Sequence, residues 1–169
     1  MNPLLESLAG HFRTTHQLLH MCLSDLDRET ATRRARGNEG PSILWIVGHL
    51  LEYRSKMLGL LGVSREPTFS DIFNNQSATD GSNYPTMDEI LAEWDVIQGE
   101  LESALPGVDT ETLLQPSGEA GPHGEKRPLD DLVFVTWHES YHMGQLGALR
   151  KSMGMPGPAD LVMAARAQG

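Results

Sequence analysis

Apolar residues recur at helical spacing in four separate stretches of this chain, and no stretch alternates with the period of a strand. The first follows Asn2 and Pro3, an N-cap and a proline at the first helical position, and carries Leu5, Leu8, Phe12, Leu19, Leu23 and Leu26. That spacing predicts a helix over about 3–26. Ser42 can cap a second over about 43–61, which is apolar almost all the way round. Ile43, Val47, Leu50, Leu51, Leu58 and Leu61 lie away from His49, while Trp45, Ile46, Tyr53 and Leu60 share its side, so this helix should be buried on two faces. Thr86 and Glu89 form a capping box ahead of Ile90, Trp94, Ile97, Leu101 and Leu105, which predicts a third helix over about 87–105. Pro128 opens a fourth over about 128–153, and Gly154 can end it.

The connections are uneven. The run GVSREPTFSDIFNNQSATDGSNYP between the second and third helices is long and rich in Gly, Pro, Ser and Asn, and a crossover of that length frees neighbouring helices from having to be antiparallel. A second irregular run separates the third helix from Pro128, and residues 160–168 offer at most a short terminal turn. With 169 residues, 39% of them apolar, the chain suits one domain over 1–169 of the all-α class, a four-helix bundle.

A net charge of −10 argues against nucleic acid and anionic lipid as partners. The start MNPLLESLAGHF lacks a basic signal region, and the longest apolar stretch, ILWIVGHLL, is too short for a bilayer, so no membrane association and a cytoplasmic location are expected. Cys22 is the single cysteine, which removes an internal disulfide or a thiolate-rich metal site and leaves seven histidines as candidate ligands.

Two of these stand in HESYH, residues 138–142. At about 100° per residue, His138 and His142 lie some 40° apart on the face that also holds Phe134, Val135, Gln145 and Leu149. Two inward imidazoles one turn apart are hard to satisfy without a cation, and His49, in the middle of an apolar run, is the best third ligand. His16 and His20 repeat the i, i+4 spacing on the first helix. His16 falls inside the apolar stripe and His20 at its edge, so this pair is the weaker ligand candidate, with His16 alone able to line a pocket. His11 lies outside the stripe, and His123 reads as a surface loop residue.

His-Glu-x-x-His on a helix is also the zinc peptidase signature. After His142, however, the chain has no further His and no Glu, and Asp160 is its one carboxylate side chain, so the downstream peptidase ligand is missing. Glu139, turned about 100° from His138, is expected as a solvated glutamate rather than a general base. A di-iron carboxylate bundle would need Glu-x-x-His motifs on two separate helices, which the chain does not have.

Ser42-Ile-Leu-Trp-Ile-Val-Gly-His49-Leu, followed much later by Trp137-His138-Glu-Ser-Tyr-His142-Met-Gly-Gln145-Leu, resembles the DinB/YfiT-like metal-dependent superfamily. The resemblance spans most of the chain. It implies an up-up-down-down four-helix bundle with the long crossover between helices two and three, commonly a homodimer, holding a divalent metal by His49, His138 and His142. Relatives of this kind include mycothiol-dependent maleylpyruvate isomerase and bacillithiol S-transferases. Where family positions often hold Arg, this chain has Met143.

The expectation is therefore a metal-dependent enzyme acting on small molecules, of the thiol-dependent S-transferase or isomerase type. Zn or Ni would bind the three histidines, with a low-molecular-weight thiol as co-substrate. Tyr53, Tyr141, Glu52 and His16 are candidates to line the pocket, and Gln145 to support His142. The alternatives are a hydrolase using metal-bound hydroxide and a non-enzymatic, metal-stabilised dimer.

Overall fold

The structure, a computed structural model, describes residues 3–37, 39–74, 77–121 and 124–167. The cap expected at Asn2, the surface position expected for His123 and the end of the terminal turn at Gln168 lie outside the described residues. Numbered in chain order, the four long helices are α1 (Pro3–Leu23), α3 (Ile43–Leu60), α5 (Met87–Ala104) and α7 (Pro128–Ser152). Between and after them lie the short α2 (Arg28–Thr32), α4 (Ser70–Phe73) and α6 (Thr110–Leu114), a hairpin of β1 (Ala120–Gly121) and β2 (Gly124–Glu125), and α8 (Pro158–Arg166).

The caps act where the sequence offers them. Ser42 Oγ accepts the Trp45 amide, and Thr86 and Glu89 bond each other's backbone reciprocally. Gly62, past the end of α3, and Gly154, past the end of α7, take the left-handed conformation that ends a helix without a Cβ clash. The short helices α2, α4 and α6 stand in runs expected to be irregular, and three further differences from the sequence expectation each have a local reason. α1 ends at Leu23 and not near Leu26, because Asp27 caps α2 by accepting the Thr30 amide at 2.8 Å. The strands, unexpected from sequence, are two residues each and too short to show alternation. The terminal segment is a helix rather than a turn: Pro158 starts it, Asp160 accepts the Gly157 amide, and it packs on α1.

α1 packs on α5 and α7, and so does α3. Phe12, Leu19, Ile46, Leu58, Trp94 and Leu146 are among the fully buried residues between them, each contributing roughly 1.5–3 kcal/mol by leaving water. Side-chain pairings give the helix directions. His49 meets His142 while Tyr53 meets His138 and Phe134, so α3 runs against α7. Thr15 meets Glu139 and Cys22 meets Arg150, so α1 runs with α7. His20 meets Asp95, and Arg28, just past α1, reaches Pro85, just before α5, so α1 runs against α5.

This is the expected all-α bundle with its long crossover between the second and third long helices. In helix direction it reads up-down-down-up, where up-up-down-down was implied. The connection holding α2 returns the chain at the end where α1 stopped, and the crossover then carries it the length of the bundle, leaving α3 and α5 parallel. Arg150 ties the far end together: buried, it bonds Asp25 through two nitrogens at 2.7 and 2.9 Å and also reaches the Cys22 and Pro156 carbonyls.

Candidate metal centre

Helical spacing alone brings His138 and His142 to one face of α7, with ring centroids 4.5 Å apart. His49 faces them from the antiparallel α3. Its Nε2 lies 3.2 Å from His138 Nε2, and His142 Nε2 lies 3.1 Å from the same atom. Protons alone satisfy this arrangement poorly. His142 Nδ1 donates to Gln145 Oε1 at 2.7 Å, which leaves its Nε2 a bare lone pair. One proton on His138 would then have to serve both short contacts.

A cation satisfies it directly. Three imidazoles on a tetrahedral Zn at about 2.0–2.1 Å would stand about 3.3 Å apart, close to the spacing seen. The residues present therefore fit a divalent transition metal. Among the described residues no carboxylate or thiolate joins the three histidines, so no fourth ligand of these kinds closes the group.

The surroundings keep the imidazoles neutral, as ligation requires. Trp45 stacks on His49 at 4.7 Å from one turn before it, and Tyr53 packs between His49 and His138 at 5.0 and 4.1 Å. Phe134 stacks on His138, and Tyr141 stands edge-on to His142. Burial is the main cause that pushes His49 down to about 4, helped by His142, His138 and Lys56 and opposed weakly by the Phe73 backbone. His138 also falls to about 4, through burial and then His142, against a small upward pull from Glu139. Burial lowers His142 as well, and its bond to Gln145 resists.

Gly48 explains the glycine beside His49. A Cβ there would meet the Phe73 ring at 2.3 Å, so α4 can lie across α3 at this point only because the side chain is absent. Gln145 Nε2 in turn donates to Tyr141 Oη at 2.9 Å, which fixes the amide that orients His142.

The expected pocket residues divide. Tyr53, Tyr141 and Gln145 touch the histidines. His16 does not; it belongs to a group on α1 and α5 with His20 and Asp95. Glu52 is almost fully buried, makes no hydrogen bond to the histidines, and is raised above the usual glutamate range by burial, with Lys56 opposing. Met143, beside His142, is a buried core residue.

Glu139 corrects the sequence expectation outright. It is not solvated: wholly buried, it accepts Arg54 Nε at 2.5 Å, Arg54 Nη2 at 3.0 Å and Thr15 Oγ1 at 2.6 Å. Arg54 also donates to Gln98 Oε1 and the Phe12 carbonyl and lies over the Trp94 ring at 4.1 Å, so this network joins all four long helices. Helical spacing already placed Trp45 and Phe134 on the faces of His49 and His138, whereas Phe73 on α4 and Arg54, buried on α3, gave no signal in the apolar pattern. Trp45 and Phe134 each stand one turn before a histidine, at positions 45/49 and 134/138.

A groove of about 890 Å³ runs beside the centre between the hairpin and α7, lined among others by Lys126, Arg127, Leu129, Val133, Phe134 and Trp137. It does not include the histidines, and Phe134 connects the two.

Fold and site together define a helical-bundle protein with a three-histidine group held between two helices. The family profile of the DinB superfamily matches residues 11–146, and the chain belongs to that superfamily. No curated protein matched it.

Proposed function

We propose that this protein is a metal-dependent enzyme of thiol-transfer or thiol-dependent isomerase type, acting on a small molecule. The observation that carries the reading is the convergence of three neutral Nε2 atoms with no fourth His, Cys, Asp or Glu ligand among the described residues. Zn or Ni suits such a donor set. A divalent metal held there would lower the pKa of a low-molecular-weight thiol at the open position and so supply a thiolate at neutral pH.

The chain's own residues would do the rest. Gln145 holds His142 in the ligating tautomer, while Trp45, Tyr53 and Phe134 exclude water from the apolar side of the histidines. Phe134 and Trp137 offer stacking surface for the electrophile in the groove, and Lys126 and Arg127 at its edge suit an anionic group on it, although both also pair with Asp131 and Asp130. No protein nucleophile is needed; Cys22 is buried in the core and raised to about 11 by burial.

We also infer a homodimer. Its support is the outward face of α7, where Val133, Trp137 and Tyr141 are about half exposed, a large apolar surface for a lone chain. Sedimentation velocity reads the dimer independently of activity. No helix among the described residues is long and apolar enough to cross a membrane, and we infer a cytoplasmic protein.

The test is a panel of thiols and electrophiles assayed with the metal-loaded protein. Transfer or isomerisation that requires both metal and thiol is expected. Cleavage of esters or amides without thiol would instead establish the hydrolase, with water at the open position. Metal retention with no turnover and a fourth protein ligand would establish the structural role.

A further inference from the structure

His16 and His20 stand one turn apart on α1 with ring centroids 4.7 Å apart, and both turn Nε2 toward one carboxylate oxygen on α5. His20 Nε2 is 2.6 Å from Asp95 Oδ1 and His16 Nε2 is 3.6 Å from it, and the three ligand atoms all lie within 4.8 Å of one another. A hydrogen bond explains His20 and Asp95 but not His16. The nearer ring nitrogen of His16 is beyond hydrogen-bond distance of the carboxylate, and its other nitrogen is buried without a partner. A groove lined by His16, Gln17, His20, Met21 and Asp95 opens this cluster to solvent, so a hydrated cation can reach it and keep water at its remaining positions.

The α1/α5 seam lies across the bundle from the α3/α7 seam that holds the other three histidines, with the Arg54 and Glu139 network between. Arg54 behind His16 opposes a cation there, while Asp95 itself and nearby Glu102 favour one. From this juxtaposition we propose that His16, His20 and Asp95 form a second divalent-metal site, separate from the three-histidine group. Two imidazoles and one carboxylate with open positions match Zn²⁺, and the same set is the facial arrangement that Fe²⁺ accepts. In contrast to the inner centre, this one is half exposed, so it would exchange its metal more readily.

Zn²⁺ titration of the full chain, read by equilibrium dialysis with elemental analysis, tests it. The decisive reading is the difference between the unaltered protein and the His20→Ala and Asp95→Asn variants, each checked for folding by circular dichroism. Both should lose one equivalent of Zn²⁺, or bind it about tenfold or more weakly, while the His142→Ala variant keeps that equivalent. Should the inner histidines bind nothing, the unaltered protein would take up a single equivalent that His20→Ala still removes, and the second site would stand alone. Uptake unchanged in both His20→Ala and Asp95→Asn overturns the proposal.

Discussion

His138 and Glu139 are neighbours on α7 and live in opposite chemical situations. The histidine belongs to a group whose nitrogens converge with too few protons to satisfy them. The glutamate belongs to one in which the carboxylate accepts three hydrogen bonds and its guanidinium partner is spread over Gln98, Thr15 and the Phe12 carbonyl. About 100° of helix rotation separates a cluster built to receive something from one that is already complete. Buried polar groups of the first kind point to a ligand, and those of the second kind fix how helices pack.

The contrast can be broken most severely at its two centres. The His142→Ala variant should lose its inner metal altogether while folding normally, as measured by metal content beside circular dichroism. Glu139→Ala should do the reverse, destabilising the protein by about 3–5 kcal/mol in urea unfolding, because Arg54 is left as an uncompensated buried charge. If a milder Glu139→Gln variant folded yet lost the inner metal, the two clusters would not be separate.

Those two residues also mark what a reader of the sequence can and cannot see. Helical periodicity, caps and the His-x-x-x-His spacing depend on neighbours in the chain, so the four long helices and the inward His138 and His142 were legible, and His49 stood out as a polar residue in an apolar run. Glu139 looked solvated because its partner Arg54 sits on another helix, and no local pattern reports a pairing made across the core. Helix direction was hidden for the same reason, since it follows from how two connections cross the bundle. The hairpin and the short helices were too brief to generate a period.

Smaller effects sharpen the comparison. Gln145→Ala should weaken inner metal binding about tenfold, measured by competition with a chelator, since His142 would lose the acceptor that fixes its tautomer. The metal-free protein should lose stability as pH falls from the ordinary histidine value of 6.5 toward 4. His49 and His138 are held neutral in the folded state over that window, whereas the unfolded chain binds their protons. Thermal unfolding at several pH values checks this, and removing His49 should flatten the profile. For Glu52 the folded carboxyl is raised, so its ionisation disfavours folding increasingly above 4.5 and has no effect well below. Glu52→Gln should therefore raise the melting temperature at pH 8 and change it little at pH 4.

The most direct measurement is X-ray absorption at the edge of the bound metal, with one equivalent loaded into the Asp95→Asn variant and spectra taken before and after adding a thiol. Three imidazole nitrogens and one light atom are predicted at first, with sulfur joining at about 2.3 Å for Zn once thiol is present. A resting spectrum with four protein ligands, or a first shell that thiol leaves unchanged, would contradict the open, thiol-accepting centre.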